Sequence, residues 1–170
     1  LAEAKQLIAD GTLKVDDSTF SKNDSYVLAV RQGNAKTPDT ILVLGRDTDS
    51  AFYGLTTLYQ IFQQLPGRAV SNLTFSDWAD VKSRGFIEGY YGSPWSTKDR
   101  VNLMTWGGYY KMNTYVYAPK DDPLHRNNWR GLYTKDQIEN EIKPQADAGN
   151  KSKVRFVYAL APFHNDGEAR

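Results

Sequence analysis

The chain has 170 residues, 40% hydrophobic and 24% charged, with a formal net charge of +1 and no cysteine. That balance suits a globular protein and argues against a nucleic-acid surface or a polybasic membrane contact; without cysteine there are no disulfides and no thiolate chemistry. No apolar run approaches the ~18 residues of a membrane span, and no signal-peptide pattern is visible.

Leu1, Ala4, Leu7 and Ile8 fall at helical spacing, and Gly11 is placed to stop that helix. The chain opens on Leu rather than Met with a helix starting at once, so the beginning reads as cut. Asp16-Asp17-Ser18 and Ser21 to Asp24 are turn material. Tyr26 to Arg31 and Ile41 to Leu44 read as strands. Asp49 to Gln64 reads as a helix with Phe52, Leu55, Leu58, Tyr59 and Phe62 along one face, ended by Pro66-Gly67. Thr74 to Trp78 and Val81-Lys82 look like a tail crossing to a second module. Residues 1–80 are therefore expected to form a small α+β domain of order helix, strand, strand, helix.

Over residues 81–170 the pattern changes to regular strand–helix alternation. Strands are expected at Phe86 to Tyr91, Thr114 to Tyr117 and Val154 to Leu160, with helices at roughly 96–112 and 134–150. Ser96 with Asp99 three residues on has capping-box spacing, and Val101, Met104, Gly108 and Met112 make an inward stripe. Gly107-Gly108 weakens the helix unless helix and sheet approach closely, although a plain helix irregularity reads equally well. Three βα units are the start of an α/β, TIM-type (β/α)8 barrel, which takes ~250 residues. The chain reads as truncated.

In parallel α/β folds chemistry collects where strands end, and here those ends carry Glu88, Gly89, Tyr90, Lys120, Asp121 and Asp122. Asp121 and Asp122 could flank a glycosidic bond as acid and base. Asp-Asp-Pro is also good turn chemistry, and successive side chains on a strand point opposite ways. Glu88 lies in an apolar strand and, if buried, needs a partner, as in a structural ion pair. Lys120 could hold a sugar hydroxyl or neutralise Asp121. Aromatic content of 13%, with eleven Tyr and four Trp, suits stacking on sugars or simply fills core and surface. His125 and His164 lack the spacing of a metal site.

Three blocks, Arg84 to Trp95 (RGFIEGYYGSPW), Asn113 to Arg126 (NTYVYAPKDDPLHR) and Val157 to Phe163 (VYALAPF), resemble glycoside hydrolase family 84, the β-N-acetylglucosaminidases that include bacterial hyaluronidase-type enzymes and animal O-GlcNAcases. Residues 26–65, especially Gly45 to Asp49 with Phe52-Tyr53-Gly54, resemble the small domain before the barrel in bacterial members. The resemblance implies a retaining hydrolase without metal or cofactor, in which the substrate's own 2-acetamido group is the nucleophile. It implies a carbohydrate partner, an N-acetylglucosamine-containing glycan or glycoprotein, and a secreted or cell-surface bacterial setting. It assigns sugar contacts to the Gly89 carbonyl and to Lys120, with Asp121 helping to position Lys120. It places the catalytic Asp pair after a fourth strand, beyond Arg170, so that none of the catalytic residues falls in this chain and the 170-residue piece alone is inactive. Ala161-Pro162-Phe163-His164-Asn165 departs from the His-Pro-Phe-Met-Asn of many bacterial relatives. The alternative is a non-catalytic carbohydrate-binding relative that lacks the acid/base pair.

Overall fold

The structure, a computed structural model, describes residues 2–89 and 91–162. Leu1, Tyr90, Phe163, His164 and Asn165, all of which entered the sequence reading, lie outside the described residues. The chain divides into two compact units, Leu1–Lys82 and Ser83–Arg170.

In the first unit, α1 (Ala2–Ala9) is followed by Gly11 at φ 73°, the left-handed conformation that glycine adopts without penalty. The strand β1 (Tyr26–Arg31) is buried over its first five residues. It lies in the middle of a three-stranded antiparallel sheet, with β2 (Thr40–Gly45) on one side and β3 (Leu73–Asp77) on the other. Leu28 is paired with Val43 and with Phe75. The segment expected to be a crossing tail is thus a strand. Its Leu73-Thr74-Phe75-Ser76 alternation is short and only half apolar, but β1 has a free edge that must be covered. One face of β1, with Val27 and Ala29, packs with Leu13 in a core that Leu7, Ile8, Val15 and Phe20 extend.

The other face meets α2 (Thr48–Gln64), capped by Asp47, whose carboxylate accepts from the Ser50 N–H at 2.8 Å. The helix does not present the expected stripe. Leu55 and Tyr59 are 54% and 55% exposed, and the buried residues are Ser50, Tyr53, Gly54 and Thr56. Gly54 explains the rotation: a Cβ there would stand 2.5 Å from Val43 Cγ1 and 3.1 Å from the Tyr26 ring, so the helix lays its smallest residue on the sheet.

In the second unit three parallel strands, β4 (Gly85–Glu88), β5 (Thr114–Tyr117) and β6 (Arg155–Tyr158), lie in sequence order with Glu88, Tyr117 and Tyr158 in register. The outer strands are shorter than expected, β4 ending at Glu88 rather than Tyr91. Between β4 and β5 runs α3 (Thr97–Tyr109). Ser96 caps it as expected, its Oγ accepting from the Asp99 N–H and donating to the Asp99 carboxylate. Between β5 and β6 lie α4 (Lys135–Gln137), a π-helical turn (Ile138–Ile142) and α5 (Lys143–Ser152), opened by a Thr134/Gln137 capping box. The π turn has no signature in the sequence.

Met104, Tyr115, Tyr117, Ala148 and Val154 form the core of this unit, joined by Phe86, Val101, Phe156 and Tyr158. Gly108 serves a close approach, but to a helix and not to the sheet: a Cβ there would lie 2.0 Å from the Ser152 carbonyl of α5. The architecture is mixed α/β, with two small sheets. The described residues form no closed barrel.

Candidate active site

The polar residues of the second unit gather at the C-terminal ends of β4 and β5 and the loops that follow. Glu88, the last residue of β4, is fully buried. Arg100 reaches it from the N-terminal part of α3 in a bidentate pair, Nε to Oε2 at 2.8 Å and Nη2 to Oε1 at 2.7 Å. The Tyr115 hydroxyl donates to the same Oε2. Glu88 is therefore a structural ion pair, the partner that burial demanded. Burial opposes the charge on Arg100, but the hydrogen bonds and charge of Glu88 outweigh it and raise its pKa. Burial, reinforced by its bond to Glu88, raises that of Tyr115.

Asp121 and Asp122 part company. Asp122 is 9% exposed and turned inward. Its Oδ2 accepts from the hydroxyls of Tyr117, at 2.8 Å, and Tyr133, and its Oδ1 accepts from the Leu124 N–H at 2.8 Å. The last of these is the local Asx bond of a turn. Asp121 is exposed, and its Oδ2 accepts from the Gly92 N–H at 2.7 Å, tying the loop after β4 to the loop after β5. The Tyr133 and Tyr158 hydroxyl oxygens lie 3.3 Å apart, which links the end of β6 to the same cluster. Burial first, and then the bond to Asp122, raise the pKa values of Tyr117 and Tyr133.

Lys120 is half-buried, and its ammonium has no hydrogen bond or ion pair among the described residues. Gly89 directly follows β4 and is half-buried. Among the described residues a Cβ there would meet Ile87 Cγ2 alone, at 3.3 Å, a tight contact with a side-chain methyl. A cavity of about 490 Å³ opens beside these loops, lined among others by Trp95, Arg100, Tyr117, Asp121, Asp122 and Tyr133. Among the described residues no cluster of three or more His, Asp or Glu could hold a metal ion.

Sequence reasoning missed Arg100 and the tyrosines as partners of the two buried carboxylates. Tyr115 and Tyr117, two apart on a strand, do share a face, but nothing in the sequence says which acid each will meet.

The β-N-acetylglucosaminidase family profile matches residues 84–169, and that of glycosyl hydrolase family 20, domain 2, matches residues 2–78. The chain belongs to the β-N-acetylglucosaminidases of glycoside hydrolase family 84. Protein O-GlcNAcase of Rattus norvegicus and that of Mus musculus are each 37% identical to this family 84 chain over 78 residues, 46% of this chain and 8% of theirs. The solved structure of CpGH84D superposes with a TM-score of 0.84 at 43% identity, covering 95% of this chain and 26% of that one. For CpGH84B the values are 0.76, 34%, 89% and 26%. The chain thus spans about a quarter of the length of these solved family 84 relatives and less of the curated ones.

Proposed function

We propose that this chain is part of a retaining, substrate-assisted β-N-acetylglucosaminidase, in which residues 83–162 supply the first βα units of a (β/α)8 barrel and the floor of its sugar site. The observation that carries the reading is the family match over 84–169, falling on a parallel sheet whose strand ends present Gly89 and a Lys120 with no partner among the described residues.

In this mechanism the carbonyl oxygen of the substrate's 2-acetamido group attacks the anomeric carbon. The glycosidic bond breaks with its electron pair on the leaving oxygen, which takes a proton from a general acid, and an oxazoline forms. The same carboxylate then removes a proton from the water that opens the oxazoline. The acid/base Asp pair lies in chain following Arg170. This chain contributes the Lys120 ammonium as donor to a sugar hydroxyl and the Gly89 carbonyl as acceptor from another. Asp121 holds the Gly92 loop against the Lys120 loop. Glu88 and Asp122, whose oxygens are taken by protein donors, keep the two loops in place and do no proton transfer.

An aryl N-acetyl-β-glucosaminide tests the reading. The complete parent protein should release the phenol, and the 170-residue chain alone should not. No turnover by the complete protein favours the carbohydrate-binding alternative, and turnover by the short chain at the parent's rate contradicts the placing of the acid/base pair.

A further inference from the structure

His125 is the one buried imidazole among the described residues, and its role in the family reading is open. It is 3% exposed. Its Nδ1 lies 2.6 Å from the carbonyl oxygen of Ala159, just past the end of β6. A carbonyl can only accept, so Nδ1 carries the hydrogen. Nε2 is buried and has no partner among the described residues. Burying an unsatisfied ring nitrogen is unfavourable, and a leucine would fill the same space without that cost. Among the described residues, the Nδ1 bond to Ala159 is what the buried ring contributes.

That bond closes a loop. The Ala159 N–H donates to the Tyr117 carbonyl at 3.0 Å, and the Ala161 N–H donates to the His125 carbonyl at 2.9 Å. Residues 117 and 125 are thus both fastened to the stretch 159–161, and the segment between them carries Lys120, Asp121 and Asp122. Inside it the Asp122 N–H donates to the Pro119 carbonyl at 3.1 Å, and the His125 N–H to the Asp122 carbonyl at 3.3 Å. The half of the loop nearest Lys120 is thus a turn that hangs on His125. Two backbone bonds remain if the imidazole is removed, so the loop would keep its path and lose its fixed position.

We propose that His125 is a positioning residue: its Nδ1–H, held on the Ala159 carbonyl, fixes the loop that presents Lys120 to the sugar. The inference rests on the sugar-binding role of Lys120 given above.

The test is a double-mutant cycle in the complete enzyme, reading kcat/KM on an aryl N-acetyl-β-glucosaminide. His125→Leu should lower kcat/KM roughly five- to tenfold, the worth of one neutral hydrogen bond. In a Lys120→Met background the same change should cost almost nothing, because the group it positions is gone. His125→Asn, whose amide N–H sits where Nδ1 does, should stay near the parent, and His125→Gln, whose amide lies at the Nε2 end, should behave like His125→Leu. If His125→Leu does not fold, the Asn and Gln variants decide the matter alone. Full additivity with Lys120→Met, or Asn and Gln variants of equal activity, overturns the proposal. A Lys120→Met variant with parent kinetics overturns instead the sugar-binding reading beneath it.

Discussion

Arg100 holds Glu88 by two parallel hydrogen bonds of 2.8 and 2.7 Å, with the carboxylate fully buried and the guanidinium side chain 6% exposed. The pair joins the end of β4 to the start of α3, and the guanidinium also lies 4.8 Å over the Tyr117 ring of β5. One ion pair thereby fixes the strand end on which Gly89 sits.

Removing one partner leaves the other charge buried and uncompensated. Arg100→Met in the complete enzyme should cost about 3–5 kcal/mol of stability, read from a denaturant or thermal melt. The double variant Glu88→Gln with Arg100→Met, which leaves no buried charge, should recover part of that. A single variant as stable as the parent would show that the pair does not hold the strand end.

The tyrosines give a pH signature. Burial, then their bonds to Glu88 or Asp122, raise the pKa values of Tyr115, Tyr117 and Tyr133. Above the ordinary tyrosine value of about 10 the unfolded chain loses protons that the folded one keeps. Stability contributed by these groups is therefore fully present below about pH 10 and falls as the pH rises beyond it. Tyrosinate absorbance for these residues should appear together with unfolding and not before it. Titration of all tyrosines at the ordinary value in a still-folded protein would contradict the buried cluster.

Gly108 makes a packing prediction. A methyl group there would enter the Ser152 carbonyl, which as backbone cannot swing aside. Gly108→Ala should destabilise by about 1–3 kcal/mol despite alanine's better helix propensity, as a lowered denaturation midpoint. A stabilised Gly108→Ala would mean that α3 and α5 stand farther apart.

Much of this was legible before the structure. The strands Tyr26–Arg31 and Thr114–Tyr117 match expectation because they are apolar runs bounded by turn residues, and Ser96 caps α3 because its spacing to Asp99 is a local device. What escaped was non-local. Leu73–Asp77 is a strand because β1 has an edge to cover. The face that α2 buries turns on Gly54 fitting over Tyr26, against a hydrophobic stripe that reads more strongly. At the site, the residue pair that looks most like chemistry, Asp121-Asp122, is divided by its partners, one carboxylate on Gly92 and the other among tyrosines. Spacing along one chain cannot show which donors the fold will bring to each.

The central claim is that Lys120, and not the neighbouring carboxylates, meets the sugar. The most direct measurement is kcat/KM of Lys120→Met and Asp121→Asn in the complete enzyme, beside the parent, on an aryl N-acetyl-β-glucosaminide. Losing one charged hydrogen bond to substrate costs roughly 1.5–3 kcal/mol, so Lys120→Met should fall about ten- to a hundredfold. Asp121→Asn should fall less, since an amide oxygen can still accept from the Gly92 N–H. Both should melt near the parent. The reverse order, with Asp121→Asn down by several decades and Lys120→Met mild, would contradict the account.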